Sequence, residues 1–329
     1  MSVTFSGGIT FTGGGFSFSA APPPAGPSGW FGGGYNPGGN MSTVQRINYA
    51  TDTAIASIRG PLSLARRSHA STGNTSYGWF AGGTTGTNTV GVVTTVDRID
   101  YSSDTTTASN RGPLSSTAYY YPMNFSATGN DNYGWFGGGY AAGAIVNRIT
   151  YATDTATATK RGPLAQGRGY ASSTGNTTDG WFGGGDVGGF FTSSVNRITY
   201  ATDTATASVK GPLSVARAFL AATGTSTDGW FAGGFASGFS PRSTIDRITY
   251  ATDTATASVR GPLTSARYTF AGVTDNTTYG WFGTGSNPSA GLVTTVDRIT
   301  YATDTATADV RGPMALVTGR SSGSSGIAS

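Results

Sequence analysis

Residues 228–263 read DGWFAGGFASGFSPRSTIDRITYATDTATASVRGPL, and a version of this stretch occurs six times in the chain. Each copy contains Gly-Trp-Phe, a glycine-rich step, an Arg-Ile pair, an Asp-Thr pair and Gly-Pro, in that order. The tryptophans of the six copies are Trp30, Trp79, Trp135, Trp181, Trp230 and Trp281. A repeat of about 50 residues that is rich in glycine and aromatic residues has the length of one β-propeller blade.

Turn residues divide the fifth repeat into four strand-like segments. We predict strands at residues 218–223, 229–231, 243–250 and 254–259. Arg247 alternates with Ile248, and this period of two is typical of a strand. The last segment ends at Gly261-Pro262, because proline has no amide hydrogen to donate to a sheet.

Both faces of each predicted sheet carry apolar side chains, since Trp230 and Phe231 point to opposite sides. Sheets stacked in a closed ring bury all of these faces, whereas a linear stack leaves two of them exposed. The sequence therefore predicts one all-β, six-bladed β-propeller of four-stranded antiparallel blades over residues 16–320. A glycine-rich arm at residues 1–15 precedes it, and a flexible or ring-closing tail at residues 321–329 follows it.

Two segments are candidates for the strand that closes the ring, because the first repeat has no clear opening strand. Residues 18–21 lie at the right distance before Trp30, and residues 320–329 lie at the right distance after Gly312-Pro313. We favour the N-terminal segment.

Composition limits the chemistry that is available. The 16 acidic residues are all aspartates, there is no cysteine and there is one histidine, His69. The net charge of +4 is spread along the chain and not clustered, which argues against nucleic acid as a partner. No apolar run approaches the roughly 20 residues that span a bilayer, so we expect no membrane insertion. We expect no metal and no cofactor.

One aspartate recurs in every Asp-Thr turn, whereas a catalytic pair should break the repeat. We expect each to cap its own hairpin turn through backbone amides, with calcium binding as the alternative. These aspartates are Asp52, Asp104, Asp154, Asp203, Asp253 and Asp304. We expect the Arg-Ile arginines to form ion pairs or carbonyl contacts between blades, with an anion-binding ring in the channel as the alternative. We expect His69 to fill space in a strand.

The loop between the glycine-rich step and the Arg-Ile strand differs in every repeat. Variable loops on one face of a repeated scaffold are a common place for recognition. Aromatic residues in these loops are candidates for stacking on sugar rings or docking onto protein. The candidate ligand-binding residues are Tyr35, Tyr140, Phe190, Phe191, Phe235 and Phe239.

The order of diglycine, tyrosine and Gly-Pro-Leu, as in Gly233-Gly234, Tyr250 and residues 261–263, resembles the kelch repeat. Arg66, Arg168, Arg217 and Arg267 match the arginine of that repeat, whereas small residues such as Ala255 stand where kelch repeats usually have a tryptophan. The repeated RITYATDTATA motif is similar to kelch-like proteins of marine bacteriophages. This resemblance implies a virion component whose partners are other virion or surface-assembly proteins and a host-surface glycan, with the cell surface as the alternative location. Galactose-oxidase-like activity, known among kelch propellers, requires a cysteine and two histidines that this chain lacks.

We therefore predict a non-enzymatic virion structural or appendage protein that binds through its variable loops. The alternatives are a polysaccharide hydrolase or lyase that uses aspartates such as Asp186, and a cellular kelch-type adaptor.

Overall fold

Each repeat forms one four-stranded antiparallel sheet, a blade, and the blades are numbered 1 to 6 from Trp30 to Trp281. The computed structural model describes residues 3–4, 10–11, 27–86, 90–115, 122–139 and 143–325. Each innermost strand contacts the innermost strands of both neighbouring blades, so that the six sheets surround one axis. The predicted all-β, six-bladed propeller is confirmed.

The strands of a blade are called inner, second, third and outer, from the axis to the rim. The inner strands of blades 1 to 6 are Ser322–Ser325, Ala70–Gly73, Ser126–Gly129, Ser172–Gly175, Ala221–Gly224 and Ala271–Thr274. The second strands, which contain the Trp-Phe pairs, are Ser28–Asn36, Tyr77–Ala81, Tyr133–Gly137, Asp179–Gly183, Asp228–Ala232 and Tyr279–Gly283. The third strands, which contain the Arg-Ile pairs, are Gly39–Asn48, Val96–Asp100, Val146–Thr150, Val195–Thr199, Ile245–Thr249 and Val296–Thr300. The outer strands are Ser57–Arg59, Ser109–Arg111, Thr159–Arg161, Ser208–Lys210, Ser258–Arg260 and Asp309–Arg311.

Shorter elements connect these strands. A turn of 3₁₀ helix follows each third strand, at Tyr49–Thr51, Tyr101–Ser103, Tyr151–Thr153, Tyr200–Thr202, Tyr250–Thr252 and Tyr301–Thr303. Two-stranded hairpins occupy the loops of blades 4 to 6, at Asp186–Val187 with Phe190–Phe191, Phe235–Ala236 with Ser240–Pro241, and Ser286–Asn287 with Gly291–Leu292. A further 3₁₀ turn, Ser237–Phe239, lies within the blade 5 hairpin, and Val3–Thr4 pairs with Thr10–Phe11 in the N-terminal arm.

The four strands predicted for the fifth repeat are all present, although their bounds differ. The third strand ends at Thr249 because Tyr250 begins a 3₁₀ helix, which turns its ring toward the neighbouring blade. The outer strand begins only at Ser258, since residues 253–257 form the turn that follows this helix.

The C-terminal tail closes the ring, and the favoured N-terminal closure was wrong. Ser322–Ser325 pairs with the second strand of blade 1, where Gly29 lies opposite Ser325 and Gly32 opposite Ser322. The other side of that second strand is paired with the third strand, so the C-terminal tail supplies the inner strand of blade 1. Residues 18–21 lie outside the described residues. The last repeat simply continues past Gly312-Pro313 to its next inner strand, as the preceding repeats do. Blade 1 therefore combines one strand from the C-terminal tail with three strands from the first repeat.

The tryptophan of each blade packs on the tyrosine of the next blade, which forms the core between blades. Trp79 and Tyr151 stack with ring centroids 3.7 Å apart and planes inclined by 5°. Trp230 and Phe231 belong to two different buried clusters, which confirms that they point to opposite faces. Full burial of one such aromatic side chain contributes about 1.5–3 kcal/mol, and stacking adds about 0.5–1.5 kcal/mol.

Buried arginines attach the segment that enters a blade to the third strand of the same blade. Arg217 lies 2.7 Å from Asp246, and both side chains are fully buried. Arg66 pairs with Asp97 and Arg267 with Asp297 in the same way. These aspartates therefore form ion pairs with arginines of the entering segments and not with the neighbouring Arg-Ile arginines.

Blade 4 has the buried arginine without the acid. Arg168 is fully buried, and the residue opposite it in the third strand is Asn196. Arg168 donates instead to the carbonyl oxygens of Gly184 and Ser194, at 2.9 and 2.7 Å. Burial without a counter-charge lowers the pKa of Arg168 to about 10.

Candidate functional site

The repeated aspartates join neighbouring blades and do not cap their own turns, which corrects the expected role. The Asp253 carboxylate accepts hydrogen bonds from Trp181 Nε1 at 2.9 Å and from Arg197 Nη1 at 3.0 Å, both in the preceding blade. The Asp253 carbonyl accepts a third bond from the amide of Gly211, which directly follows the outer strand of that blade. Trp281 and Asp52 form the same contact between blades 6 and 1. The expected interblade ion pairs of the Arg-Ile arginines are therefore present, and the six aspartates hold neighbouring blades together through hydrogen bonds.

His69 occupies a position between blades that other repeats fill with apolar side chains. Its ring lies 6.0 Å from that of Phe80, and it is 4 % exposed. Leu220 and Phe270 hold the corresponding place in blades 5 and 6, next to the equivalent glycines. Burial and the nearby Arg66 charge lower the pKa of His69 to about 3, so the ring is neutral at physiological pH. The His69 side chain therefore fills space between blades, as the sequence predicts.

One end of the propeller, which we call the loop face, carries the variable loops. It consists of the described residues in the loops 33–43, 82–95, 138–145, 184–194, 233–244 and 284–295, and in the segments that enter the blades, 60–69, 112–125, 162–171, 211–220, 261–270 and 312–321. Bridges hold the two sets of loops together, for example Ala218 with Phe235 and Tyr268 with Ser286. The variable loops are therefore attached firmly to the ring.

A closed circle of backbone hydrogen bonds surrounds the axis at the loop face. Each residue of the circle donates its amide to the carbonyl of its neighbour, at 2.6–3.0 Å, and each adopts a positive φ. In order around the axis the members are Ser68, Asn124, Tyr170, Phe219, Thr269 and Arg320. A cavity of about 140 Å³ lies inside, lined by these residues and the inner strands. The inner strands line this cavity with small side chains, such as Ser71 and Ala127.

Two members of this circle, Tyr170 and Phe219, belong to an aromatic cluster that also contains Phe191, Phe235, Phe239 and Tyr268. The ring centroids of Tyr170 and Phe219 are 4.0 Å apart, as are those of Phe235 and Tyr268. Phe235 also contacts Phe219 and Phe239, and Phe239 contacts Phe191, each at 5.6–5.8 Å. Phe239 is 69 % exposed, and the other members are partly buried. The cluster spans blades 4 to 6 and presents apolar ring surface to solvent.

The structure brings together three of the six predicted ligand-binding residues, Phe191, Phe235 and Phe239. Phe190 lies at the tip of the blade 4 hairpin and is 79 % exposed, and Tyr35 lies in blade 1, with the guanidinium of Arg67 5.2 Å from its ring centroid. Tyr140 lies outside the described residues.

Sequence reasoning missed Tyr170, Phe219 and Tyr268. They follow the glycine of Gly-Pro by seven or eight residues, at or next to positions equivalent to the strand predicted at residues 218–223. The sequence did contain a signal for Tyr170 and Phe219. Repeats 4 and 5 have an aromatic residue two positions after the buried arginine, where repeat 2 has Ser68.

No family model matches the chain, and no curated protein matches it. In the part of the chain that the structure describes, no three His, Cys, Asp or Glu residues lie close enough together to hold a metal ion. None of the helices described is long and apolar enough to cross a membrane.

Proposed function

We propose that this chain is a non-enzymatic virion structural or appendage protein that binds a host-surface glycan through the aromatic cluster of its loop face. The observation that carries the proposal is the cluster itself, which is assembled from residues that break an otherwise regular repeat. The resemblance of the repeats to kelch-like proteins of marine bacteriophages supports the virion location.

Aromatic rings suit a glycan because the C–H faces of a sugar pack on the π-face of a ring. Partly exposed rings that already contact one another lose little conformational freedom on binding, since their neighbours hold them in place. The hairpin that carries Phe235 and Phe239 is bridged to Ala218, so the blade supports the rings. A rigid aromatic platform therefore favours recognition by shape.

The contacts of the aspartates support a role without catalysis. The six repeated carboxylates already accept hydrogen bonds from tryptophan and arginine, and Asp97, Asp246 and Asp297 are paired with buried arginines. Asp186, the candidate for hydrolase chemistry, accepts a bond from the Gly189 amide and so stabilises its hairpin turn. Glycoside hydrolysis requires two cooperating carboxyl groups, and Asp186 is the only acid in the described part of the loop face.

The test is binding of the purified chain to a glycan array. We expect binding to a subset of glycans, and Phe239→Ala should weaken it about two- to tenfold through the lost ring contact. Val209→Ala is the matched control, because Val209 is 64 % exposed on the outer strand of blade 4, away from the loop face. Equal binding by both variants, or turnover of a glycan that Asp186→Asn abolishes, would contradict the proposal.

The virion location has a separate test. Mass spectrometry of purified particles and of cytosol from infected cells should find the chain in the particles. A chain confined to cytosol contradicts this part of the proposal and leaves the glycan-binding part to the array.

A further inference from the structure

Besides the buried Arg168, the loop face carries three solvent-accessible arginines that no carboxylate neutralises. Arg242 and Arg320 are exposed and Arg67 is half-buried. Among the described residues, none of the three forms an ion pair, whereas the arginines of the third and outer strands pair with aspartates. The acid of this face, Asp186, caps its own turn.

The opposite end of the propeller carries aspartates that take no part in the interblade ion pairs. Asp100, Asp131 and Asp275 lie in its turns and have no ion-pair partner among the described residues. The loop face holds most of the net charge of +4, because Arg67, Arg168, Arg242 and Arg320 outnumber Asp186 there and its other arginines are paired with aspartates. Such a distribution attracts anions to one end of the molecule.

The three arginines are arranged around the aromatic cluster and the mouth of the channel. The Arg242 amide donates to Gly234, so that Arg242 lies at the base of the hairpin that carries Phe235 and Phe239. Arg320 lines the cavity at the channel mouth and is bonded through its amide to Thr269, the neighbour of Phe219 in the circle.

Arg67 extends the positive region to blade 1. Its guanidinium donates to Asn40 Oδ1 at 3.0 Å and lies over the ring of Tyr35. Its neighbour in the chain, Ser68, donates its amide to the carbonyl oxygen of Arg320, so the backbones of Arg67 and Arg320 lie close together. An arginine held by an amide oxygen and an aromatic face keeps donors available for an anion.

We infer that the ligand of the loop face is an anionic polysaccharide, with sugar rings on the aromatic cluster and carboxylate or sulfate groups facing Arg67, Arg242 and Arg320. This inference rests on the proposed function and specifies its substrate class. Carboxylate and sulfate share the geometry that a guanidinium recognises through paired hydrogen bonds.

Three polymers with one backbone test the inference: dextran, carboxymethyl dextran and dextran sulfate. We expect the full-length chain to bind one or both anionic polymers at least about tenfold more tightly than dextran, with affinity that falls as salt rises. The two anionic arms show whether carboxylate or sulfate is preferred. Each of Arg242→Gln and Arg320→Gln should weaken anionic binding about two- to fivefold, and the triple variant with Arg67→Gln by about tenfold or more.

Lys160→Gln is the control for net charge. It removes the same single charge from the exposed outer strand of blade 3, away from the loop face. Equal losses from Lys160→Gln and Arg242→Gln would mean nonspecific attraction and would overturn the inference.

The polymers also separate this inference from the proposed function. Equal binding of dextran and its anionic derivatives, with loss in Phe239→Ala, overturns the anionic ligand but leaves glycan binding intact. No binding of any polymer, together with no binding on the glycan array, overturns both.

Discussion

The same substitution in two adjacent blades should have opposite effects on stability. Asn147 in blade 3 and Asn196 in blade 4 occupy equivalent positions in the third strand, and both are fully buried. Arg168 enters blade 4 without a carboxylate, whereas residues 112–125, which enter blade 3, contain no arginine or lysine. Asn196→Asp therefore supplies a missing counter-charge, and Asn147→Asp buries a charge without a partner.

The size of each effect follows from burial. The lowering of the Arg168 pKa to about 10 corresponds to about 3 kcal/mol of unfavourable burial of its charge. A carboxylate at residue 196 should recover part of this, so we expect Asn196→Asp to stabilise the protein by about 1–3 kcal/mol. The reverse change in blade 5, Asp246→Asn, leaves Arg217 unpaired and should cost about 3–5 kcal/mol. Asn147→Asp should cost about 3 kcal/mol at pH 7.

Denaturant unfolding at several pH values measures these differences. The gain from Asn196→Asp should be present above about pH 4 and be lost as the pH falls through the depressed pKa of the new carboxyl group. The penalty of Asn147→Asp should shrink as the pH falls, since a protonated carboxyl group is neutral. Equal destabilisation of both variants at pH 7 would show that a carboxylate at residue 196 does not pair with Arg168 as Asp246 pairs with Arg217.

Two further predictions concern His69 and the ring closure. Because the folded pKa of His69 is about 3 and the unfolded value is about 6.5, stability should fall by up to about 1.4 kcal/mol per pH unit between pH 6.5 and 3. His69→Leu should remove this part of the acid sensitivity in pH-dependent unfolding, and an unchanged profile would contradict it. Asp52→Asn should weaken the contact with Trp281 between blades 6 and 1, at a cost of about 3 kcal/mol in the free energy of unfolding. The unfolding transition monitored by tryptophan fluorescence should therefore occur at a lower denaturant concentration than in the parent chain. An unshifted transition would show that Asp52 contributes little to closure.

The sequence predicts the repeat, the blade and the ring because these depend on patterns within one unit. Gly-Trp-Phe and Arg-Ile alternate with period two, and apolar residues on both faces of a sheet require stacking. The closing strand was harder, since both ends of the chain offer small residues and only pairing with Gly29 and Gly32 distinguishes them.

The role predicted for the repeated aspartates, capping of their own turns, was wrong. A turn motif such as that of Asp253 suggests local capping, but its actual partners, Trp181 and Arg197, lie in the preceding blade. Contacts between repeats do not follow from spacing within a repeat. The same reason applies to the aromatic cluster, where Tyr170 and Phe219 meet Phe235 only because the entering segments and the variable loops share one end of the ring.

Hydrogen exchange with and without carboxymethyl dextran most directly tests whether the loop face is the binding surface. We expect the polymer to slow exchange in the hairpins at residues 186–191 and 235–241 and in the circle around Phe219 and Arg320. Residues 130–133 and 176–179, at the opposite end, should exchange at unchanged rates. Protection confined to the opposite end or to the outer strands would contradict the account.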